Sequence, residues 1–356
     1  MEGIRIAVIA GDGIGPDLII QLDKVIQALN KKFNSGITVK QFPYGANYYH
    51  KSGISIPDEF IDEVAHNFDA ILLGPLGDSR IPDMKHAVEI VYKLRDRLNL
   101  TMSVQPIRLF QSWLATQKDI ETKTVDYLII KEIFESTIST TDQIYLKGRE
   151  SAVLVQSSIF TAKNIRTFIQ NAFEYLQKDH RAKVCFVDQG IKFRQSQALW
   201  NKTVAEIQEK YPDIAITNKL INGALKDILL NPDDSEAYIA TSDNGDILSA
   251  VSSVVMGGYG LAYSIEINPE LISVYRIMQA SLKKLAGSNT INPFGTFLAL
   301  WQILSDQGKI QESRALMDAL MVNFSNHWLT IDLGGIMGTD EVTGYICGHI
   351  NSKEEQ

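Results

Sequence analysis

IRIAVIA at residues 4–10 runs directly into GDGIGPD at residues 11–17, and an amphipathic pattern continues to Leu29. The apolar run predicts a short strand, and the pattern after it predicts a helix. The three glycines suit a tight strand-to-helix turn, and Pro16 suits a first helical turn. The spacing G-x-G-x-G differs from the dinucleotide fingerprint G-x-G-x-x-G. We therefore predict a strand–turn–helix unit that is not a Rossmann phosphate loop.

Strand and helix patterns alternate along the rest of the chain. Strand-like runs occur at 37–42, 70–73, 125–132 and 183–187, and helix-like patterns occur at 87–98, 162–177, 197–210 and 294–304. This alternation predicts an α/β fold with a largely parallel sheet. Apolar residues at 144–146 and 152–155 flank the sequence KGRE at 147–150, which suggests a projecting β-hairpin.

The bulk composition excludes several classes of protein. The chain has 356 residues, 45% of them hydrophobic, with a net charge of −8. The negative charge argues against a nucleic-acid surface, and no apolar run has the length of a membrane helix. Cys185 and Cys347 form neither a disulfide framework nor a metal-ligand spacing. We therefore expect a cytoplasmic protein that uses neither nucleic acid nor a membrane as a partner.

The stretch from Ile239 to Ser253 bears directly on metal chemistry. Its apolar start predicts a strand, its polar part TSDNGD predicts a turn, and a helical pattern follows. Magnesium prefers several oxygen ligands, and carboxylates four residues apart on a helix supply two of them. Asp246 offers one carboxylate, but the residue one turn later is Ala250. The second carboxylate is missing.

Several motifs in order along the chain carry a family resemblance: GDGIGPD at 11–17, GPLG at 74–77, LRDRLNL at 94–100, GDILS at 245–249 and TIDLGG at 330–335. With these motifs the chain resembles the β-decarboxylating dehydrogenases, which include the isopropylmalate and isocitrate enzymes. The resemblance implies two interwoven α/β lobes around a large mixed sheet. It assigns residues 1–103 and 254–356 to the larger lobe and 104–253 to the smaller one. It also implies a homodimer, with a dimerisation arm at about 138–158.

The same resemblance assigns the substrate and proton-transfer positions. Substrate-binding positions fall on Arg95, Gln105 and Lys131, and Val91 lies in the helix that selects the substrate side group. Two of the family's three arginines are therefore replaced. The catalytic tyrosine and lysine positions hold Ile138 and Gln189, and neither side chain transfers protons near neutral pH.

The metal and cofactor positions are also altered. The three metal aspartates of the family fall on Asn222, Asp246 and Ala250. The NAD-binding positions fall on Gln279, Lys284 and Asn292. The resemblance thus implies magnesium and NAD as cofactors, while the residues present supply few of the groups that either would need.

We therefore predict a catalytically silent homologue that binds a small carboxylic acid or regulates an active paralogue as a heteromer. The alternative is an active NAD-dependent oxidoreductase with a rebuilt site, for which the candidate groups are Tyr145, Lys147, Lys192, Arg194 and Asp243. A purely structural role is a third hypothesis.

Individual residues also have ordinary interpretations. Asp246 is a candidate helix cap, and Lys131 is a candidate partner of a nearby acidic residue. Asp188 is a candidate acceptor for turn amides.

Overall fold

The computed structural model describes residues 3–115, 117, 120–133, 143–155, 159–188, 190 and 194–352. Its strands are β1 Arg5–Ile9, β2 Thr38–Phe42, β3 Ala70–Leu73, β4 Met102–Arg108, β5 Asp126–Glu132, β6 Gln143–Tyr145, β7 Val153–Val155, β8 Lys183–Asp188, β9 Ala215–Leu220, β10 Ala237–Ala240, β11 Tyr263–Ile267 and β12 Val274–Ile277. Its helices are α1 Gly15–Phe33, α2 Ala46–Ser52, α3 Asp58–Asn67, α4 Lys85–Arg97, α5 Ala162–Lys178, α6 Arg194–Gln208, α7 Ile221–Leu230, α8 Ser242–Val255, α9 Phe294–Asp306, α10 Ile310–Ser325 and α11 Thr339–Asn351.

One large mixed sheet organises the described residues. Its strand order is β2-β1-β3-β12-β11-β4-β5-β10-β8-β9. The outer strands pair in parallel, whereas β12, β11, β4 and β5 pair antiparallel in sequence across the centre. The α/β fold with a mixed sheet is therefore confirmed. The antiparallel centre matters for function because it brings distant parts of the chain side by side.

Three groups of buried residues hold helices against this sheet. The largest group includes residues of α1, α9, α10 and α11 together with residues of the sheet, and it continues to α7 and α8. A second group lies between α5–α6 and strands β4, β5, β8 and β10. A third lies between α3–α4 and strands β1, β3 and β12. Since burying apolar surface is the main driving force for folding, these layers fix where each helix lies.

The predicted β-hairpin is also present. Strands β6 and β7 pair antiparallel, with Tyr145 opposite Val153. The hairpin exposes its apolar residues: Ile144 is 53% exposed and Leu154 is 60% exposed. An apolar two-stranded ribbon of this kind has no core of its own within the described chain. The division into lobes at residues 103 and 253 stays a prediction.

Candidate functional site

A row of polar side chains crosses the central strands beside a cleft, and Lys131 is the member of this row that lines the cleft. Lys131 on β5 pairs directly with Ser103 on β4, and Ser103 pairs with Glu266 on β11. Directly paired residues place their side chains on the same face of a sheet. Lys131, Ser103 and Glu266 therefore form one cross-strand row, and all three are buried.

Residues of helices α4 and α8 line this cleft together with Lys131. The cleft has a volume of about 400 Å³. Val91, Tyr92 and Arg95 of α4 line one side, and Ser242 and Asp246 of α8 line the other. The rest of the lining consists of Gly74, Pro75, Leu76, Ala87, Val88, Lys131, Arg276, Ile277, Met278 and Gln279.

Arg95 lies in the cleft, as its predicted substrate role requires, but it is bound to an internal carboxylate. Its Nε and Nη2 atoms donate to Glu266 Oε2 and Oε1 at 3.0 and 2.6 Å. Arg276 Nη1 donates to Oε1 of the same carboxylate at 2.7 Å. The paired edge of the Arg95 guanidinium, which is the geometry that grips a carboxylate, is therefore already used inside the protein.

Arg95, Glu266 and Arg276 form a triad in which burial and neighbouring charges shift the pKa values of Arg95 and Glu266 in opposite directions. Burial by itself raises the pKa of Glu266, but the cations of Arg95 and Arg276 outweigh it and lower that pKa to about 2. Burial likewise opposes the charge of Arg95, and the Glu266 carboxylate more than compensates, so the pKa of Arg95 rises. The two arginines and the carboxylate of the triad therefore stabilise one another in their charged forms.

Lys131 forms the second ion pair of the cleft, with Asp246. Helix α8 begins at Ser242, so the polar stretch TSDNGD is not the turn that its sequence predicts. Asp246 consequently lies on the second helical turn rather than the first. The interpretation of Asp246 as a helix cap is also wrong, because the carboxylate is bound to Lys131. The prediction that Lys131 pairs with an acidic residue is confirmed.

The remaining metal positions supply no further carboxylate to accompany Asp246. Ala250 lies one turn further along α8 and presents a methyl group, while Asn222 is an exposed residue near the start of α7. Among the described residues, no group of three or more histidine, cysteine, aspartate or glutamate side chains is placed to hold a metal ion. With Lys131 already bound to the one cleft-lining carboxylate, these residues do not fit a magnesium ion.

Among the described residues, three glutamines carry buried amide oxygens that lack a hydrogen-bond partner: Gln105, Gln117 and Gln279. Gln105 donates to Ser253 Oγ at 2.9 Å, and its Oε1 atom is unsatisfied. Gln105 does not line the cleft, although the resemblance places it at a substrate position. Gln279 does line the cleft, and its Oε1 atom is buried without a hydrogen-bond donor.

The predicted cofactor positions differ in burial and in their partners. Asn292 is buried: its Oδ1 accepts from Phe294 N at 2.9 Å, and its Nδ2 donates to Asp332 at 2.8 Å. Lys284 is exposed and adds a positive charge where ribose hydroxyls would need an acceptor. Gln279 lines the cleft, whereas the Asn292 amide is bound to internal partners and Lys284 has no acceptor atom, so these side chains do not fit a nicotinamide dinucleotide.

The remaining sequence candidates are either outside the described residues or exposed residues that do not line the cleft. Ile138, Gln189 and Lys192 are outside the described residues. Tyr145, Lys147, Arg194 and Asp243 are exposed and do not line the cleft. The interpretation of Asp188 as a turn residue is confirmed, because its Oδ1 accepts from Gly190 N at 2.6 Å.

Sequence reasoning did not single out Tyr92, Ser242, Glu266 or Arg276 as cleft residues. The signal for Glu266 and Arg276 was present, since each interrupts an otherwise apolar strand, in YSIEI and VYRI. A charged residue inside a buried strand requires a partner. The sequence did not show that Glu266 would bind Arg276 and Arg95 at the same time.

Fold and cleft together define an α/β protein with helices on both faces of a mixed sheet and a cleft lined by charged residues, and comparison with known proteins gives its family. The sequence model "Isocitrate/isopropylmalate dehydrogenase" matches residues 5–346. The chain belongs to this family.

Individual relatives agree with this assignment. A probable tartrate dehydrogenase/decarboxylase of Agrobacterium vitis is 26% identical over 350 residues, covering 98% of each chain. A 3-isopropylmalate dehydrogenase of Prochlorococcus marinus is 25% identical over 348 residues, covering 96% of each chain. The crystal structure of isocitrate dehydrogenase from Methylococcus capsulatus superposes with a TM-score of 0.84 at 22% identity, covering 98% of this chain and 100% of that one. Within the described residues, no helix is long and apolar enough to span a membrane.

Proposed function

We propose that this chain is a catalytically silent member of its family that binds a small carboxylic acid in the cleft between α4 and α8. The observation that carries the proposal is the Lys131–Asp246 ion pair. The resemblance assigns Asp246 to a metal-binding position, but its carboxylate is bound to Lys131. An entering carboxylate would be bound by Lys131, whose partner Asp246 is exposed, because Arg95 and Arg276 are both already bound to Glu266.

Loss of the family reaction follows from the groups that are absent. Oxidation of a hydroxy acid requires a base at the hydroxyl, and decarboxylation requires charge stabilisation at the developing enolate. The family positions for proton transfer hold Ile138 and Gln189, which do not titrate. To act as a base in their place, Lys131 would first have to give up its pair with Asp246.

An assembly of two subunits is part of the proposal. Apolar side chains are exposed on the β6–β7 hairpin, and further exposed apolar residues follow on α7 and α8, namely Leu229, Leu230, Ile247 and Val254. Exposed apolar patches of this kind mark interaction surfaces. A homodimer covers them, and so does a heteromer with an active paralogue. The cytoplasmic location stays a prediction.

One observation favours the alternative of an active enzyme with a rebuilt site. Tyr92 and Lys131 line the same cleft, and tyrosine and lysine are the residue types that the family chemistry uses for proton transfer. An active protein would use these two residues, or groups outside the described residues, with NAD and a divalent ion.

Calorimetry and turnover assays separate the two functions. The purified chain is titrated with tartrate, isocitrate, 3-isopropylmalate and NAD, and the same acids are assayed for NAD and NADP reduction with magnesium or manganese. We expect binding of at least one acid without turnover. Turnover above background would establish the active enzyme, and Tyr92→Phe would then test its tyrosine. Absence of binding by every acid would exclude the ligand-binding function.

A further inference from the structure

The path of the Lys131 side chain depends on a glycine. A Cβ atom built on Gly245 would lie 2.4 Å from Lys131 Cβ and 3.1 Å from its Cδ. The bare backbone at residue 245 therefore lets the lysine stem pass along α8. The stem is buried, and the ammonium group ends at the Asp246 carboxylate. The chain thus delivers a fixed positive charge to the cleft.

The two partners of this pair differ in accessibility. The Asp246 side chain is 60% exposed, whereas that of Lys131 is 11% exposed. A solvated carboxylate contributes little to an ion pair and can rotate away at low cost. The buried lysine stem has far less freedom. A second carboxylate entering the cleft therefore meets a fixed cation whose present partner is easily displaced.

The surroundings favour an anion over a metal cation. The charged residues that line the cleft are Arg95, Lys131, Arg276 and Asp246, and adding the buried Glu266 gives three positive and two negative charges, a balance of +1. Ser242 at the N-terminal end of α8 also lines the cleft, where the helix dipole favours negative charge. Gln279, which also lines the cleft, is a neutral amide and does not change this charge balance.

We propose that Lys131 is the built-in cation of this cleft, so that a small hydroxy-carboxylate binds here without any divalent ion. Asp246 acts as an internal competitor that occupies Lys131 until the ligand carboxylate displaces it. This inference rests on the proposed ligand-binding function and specifies how the charge of the ligand is balanced. It assigns Asp246 the opposite role from a metal ligand, because removing its charge strengthens binding.

The test compares carboxylate binding in EDTA and in millimolar magnesium chloride. Titrations with tartrate, isocitrate and 3-isopropylmalate use the wild-type chain, Asp246→Asn and Lys131→Met. We expect equal affinity in both buffers. Asp246→Asn should raise the affinity by about fivefold, the value of a partly exposed ion pair. Lys131→Met should lower it by about tenfold or more, because the ligand loses its charged partner while the stem is kept.

Matched controls isolate the pair from general charge effects. Asp243→Asn removes the same charge from the same helix outside the cleft, and Lys202→Met removes an exposed lysine of α6. Both should leave affinity unchanged, and circular dichroism checks that every variant is folded. Titration of magnesium chloride alone into the wild-type chain should give no binding heat.

The failures of the two proposals are distinguishable. Binding that requires magnesium and is weakened by Asp246→Asn would overturn the lysine-cation inference while leaving the ligand-binding function in place. An equal change of affinity in Asp243→Asn and Asp246→Asn would also overturn it, because the effect would then be one of general charge. If no acid binds the wild-type chain in either buffer, the proposed function itself fails.

Discussion

The cleft has two groups of ion-paired side chains, a triad and a pair, which differ in their exposure to solvent. In the triad, Arg95 and Arg276 surround Glu266, whose side chain is 2% exposed. In the pair, Lys131 contacts Asp246, whose side chain is largely open to water. A buried charge must keep its partners, because an unpaired charge in the interior is costly. A solvated carboxylate can exchange its partner. The difference indicates that the triad builds the cleft and that the pair is available to a ligand.

Removal of the central carboxylates gives the largest contrast between the two regions. Glu266→Gln leaves two arginines without their counter-ion, so we expect a loss of about 3–5 kcal/mol in the free energy of unfolding. Asp246→Asn, the matched change in the open pair, should cost less than about 1 kcal/mol. Urea denaturation followed by circular dichroism measures both. Similar losses in the two variants would contradict the assignment of structural and exchangeable roles.

The pH dependence of stability should report the triad specifically. The pKa of Glu266 is about 2 in the folded protein, below its ordinary value of 4.5, so the unfolded chain binds the proton more readily. The stabilisation is therefore complete above about pH 5 and is lost as the pH falls toward 2. It amounts to about 3 kcal/mol, at roughly 1.4 kcal/mol per pH unit.

The measurement is a comparison of wild-type and Glu266→Gln unfolding curves between pH 7 and pH 2. The two free energies should converge as the pH decreases, since the wild-type carboxylate becomes neutral. A gap that stays constant over this range would show that the Glu266 charge contributes nothing to the fold.

A smaller effect probes the stem of Lys131. Gly245→Ala places a methyl group in contact with the lysine, and overpacking of this kind costs about 1–3 kcal/mol. Gly344→Ala on α11 is the control: nothing lies within 4 Å of the added Cβ, so the substitution should stabilise the protein by up to about 1 kcal/mol. Thermal unfolding measures both. A neutral Gly245→Ala would mean that α8 shifts relative to β5 at little cost, because the closest clash is with Lys131 Cβ.

Local pattern was sufficient for most of the fold. The run IRIAVIA and the amphipathic segment after it became β1 and α1, and the patterns at 162–177 and 294–304 became α5 and α9. These elements follow from apolar periodicity, which local sequence carries. The start of α8 was misplaced because its polar, glycine-containing first turns resemble a loop. Packing of Leu248 and the following turns against the core compensates for that weak local preference.

The site was less predictable from sequence than the fold. Family motifs indicated Arg95, Lys131 and Asp246 as site residues, and all three line the cleft. Their partners could not be read from spacing, because Glu266 lies 171 residues from Arg95 and Asp246 lies 115 residues from Lys131. The packing of helix α4 against the sheet sets the first contact, and the position of α8 over β5 sets the second.

The sequence by itself determined the family, the alternation of strands and helices, and the residue types available at the site, because periodicity and ordered motifs are properties of the chain alone. Only the tertiary structure decided which charges meet. The antiparallel pairing at the centre of the sheet places Lys131, Ser103 and Glu266 in one row. Burial then makes the Glu266 triad permanent and leaves Asp246 exchangeable, since solvent access sets the free-energy cost of separating a pair of charges.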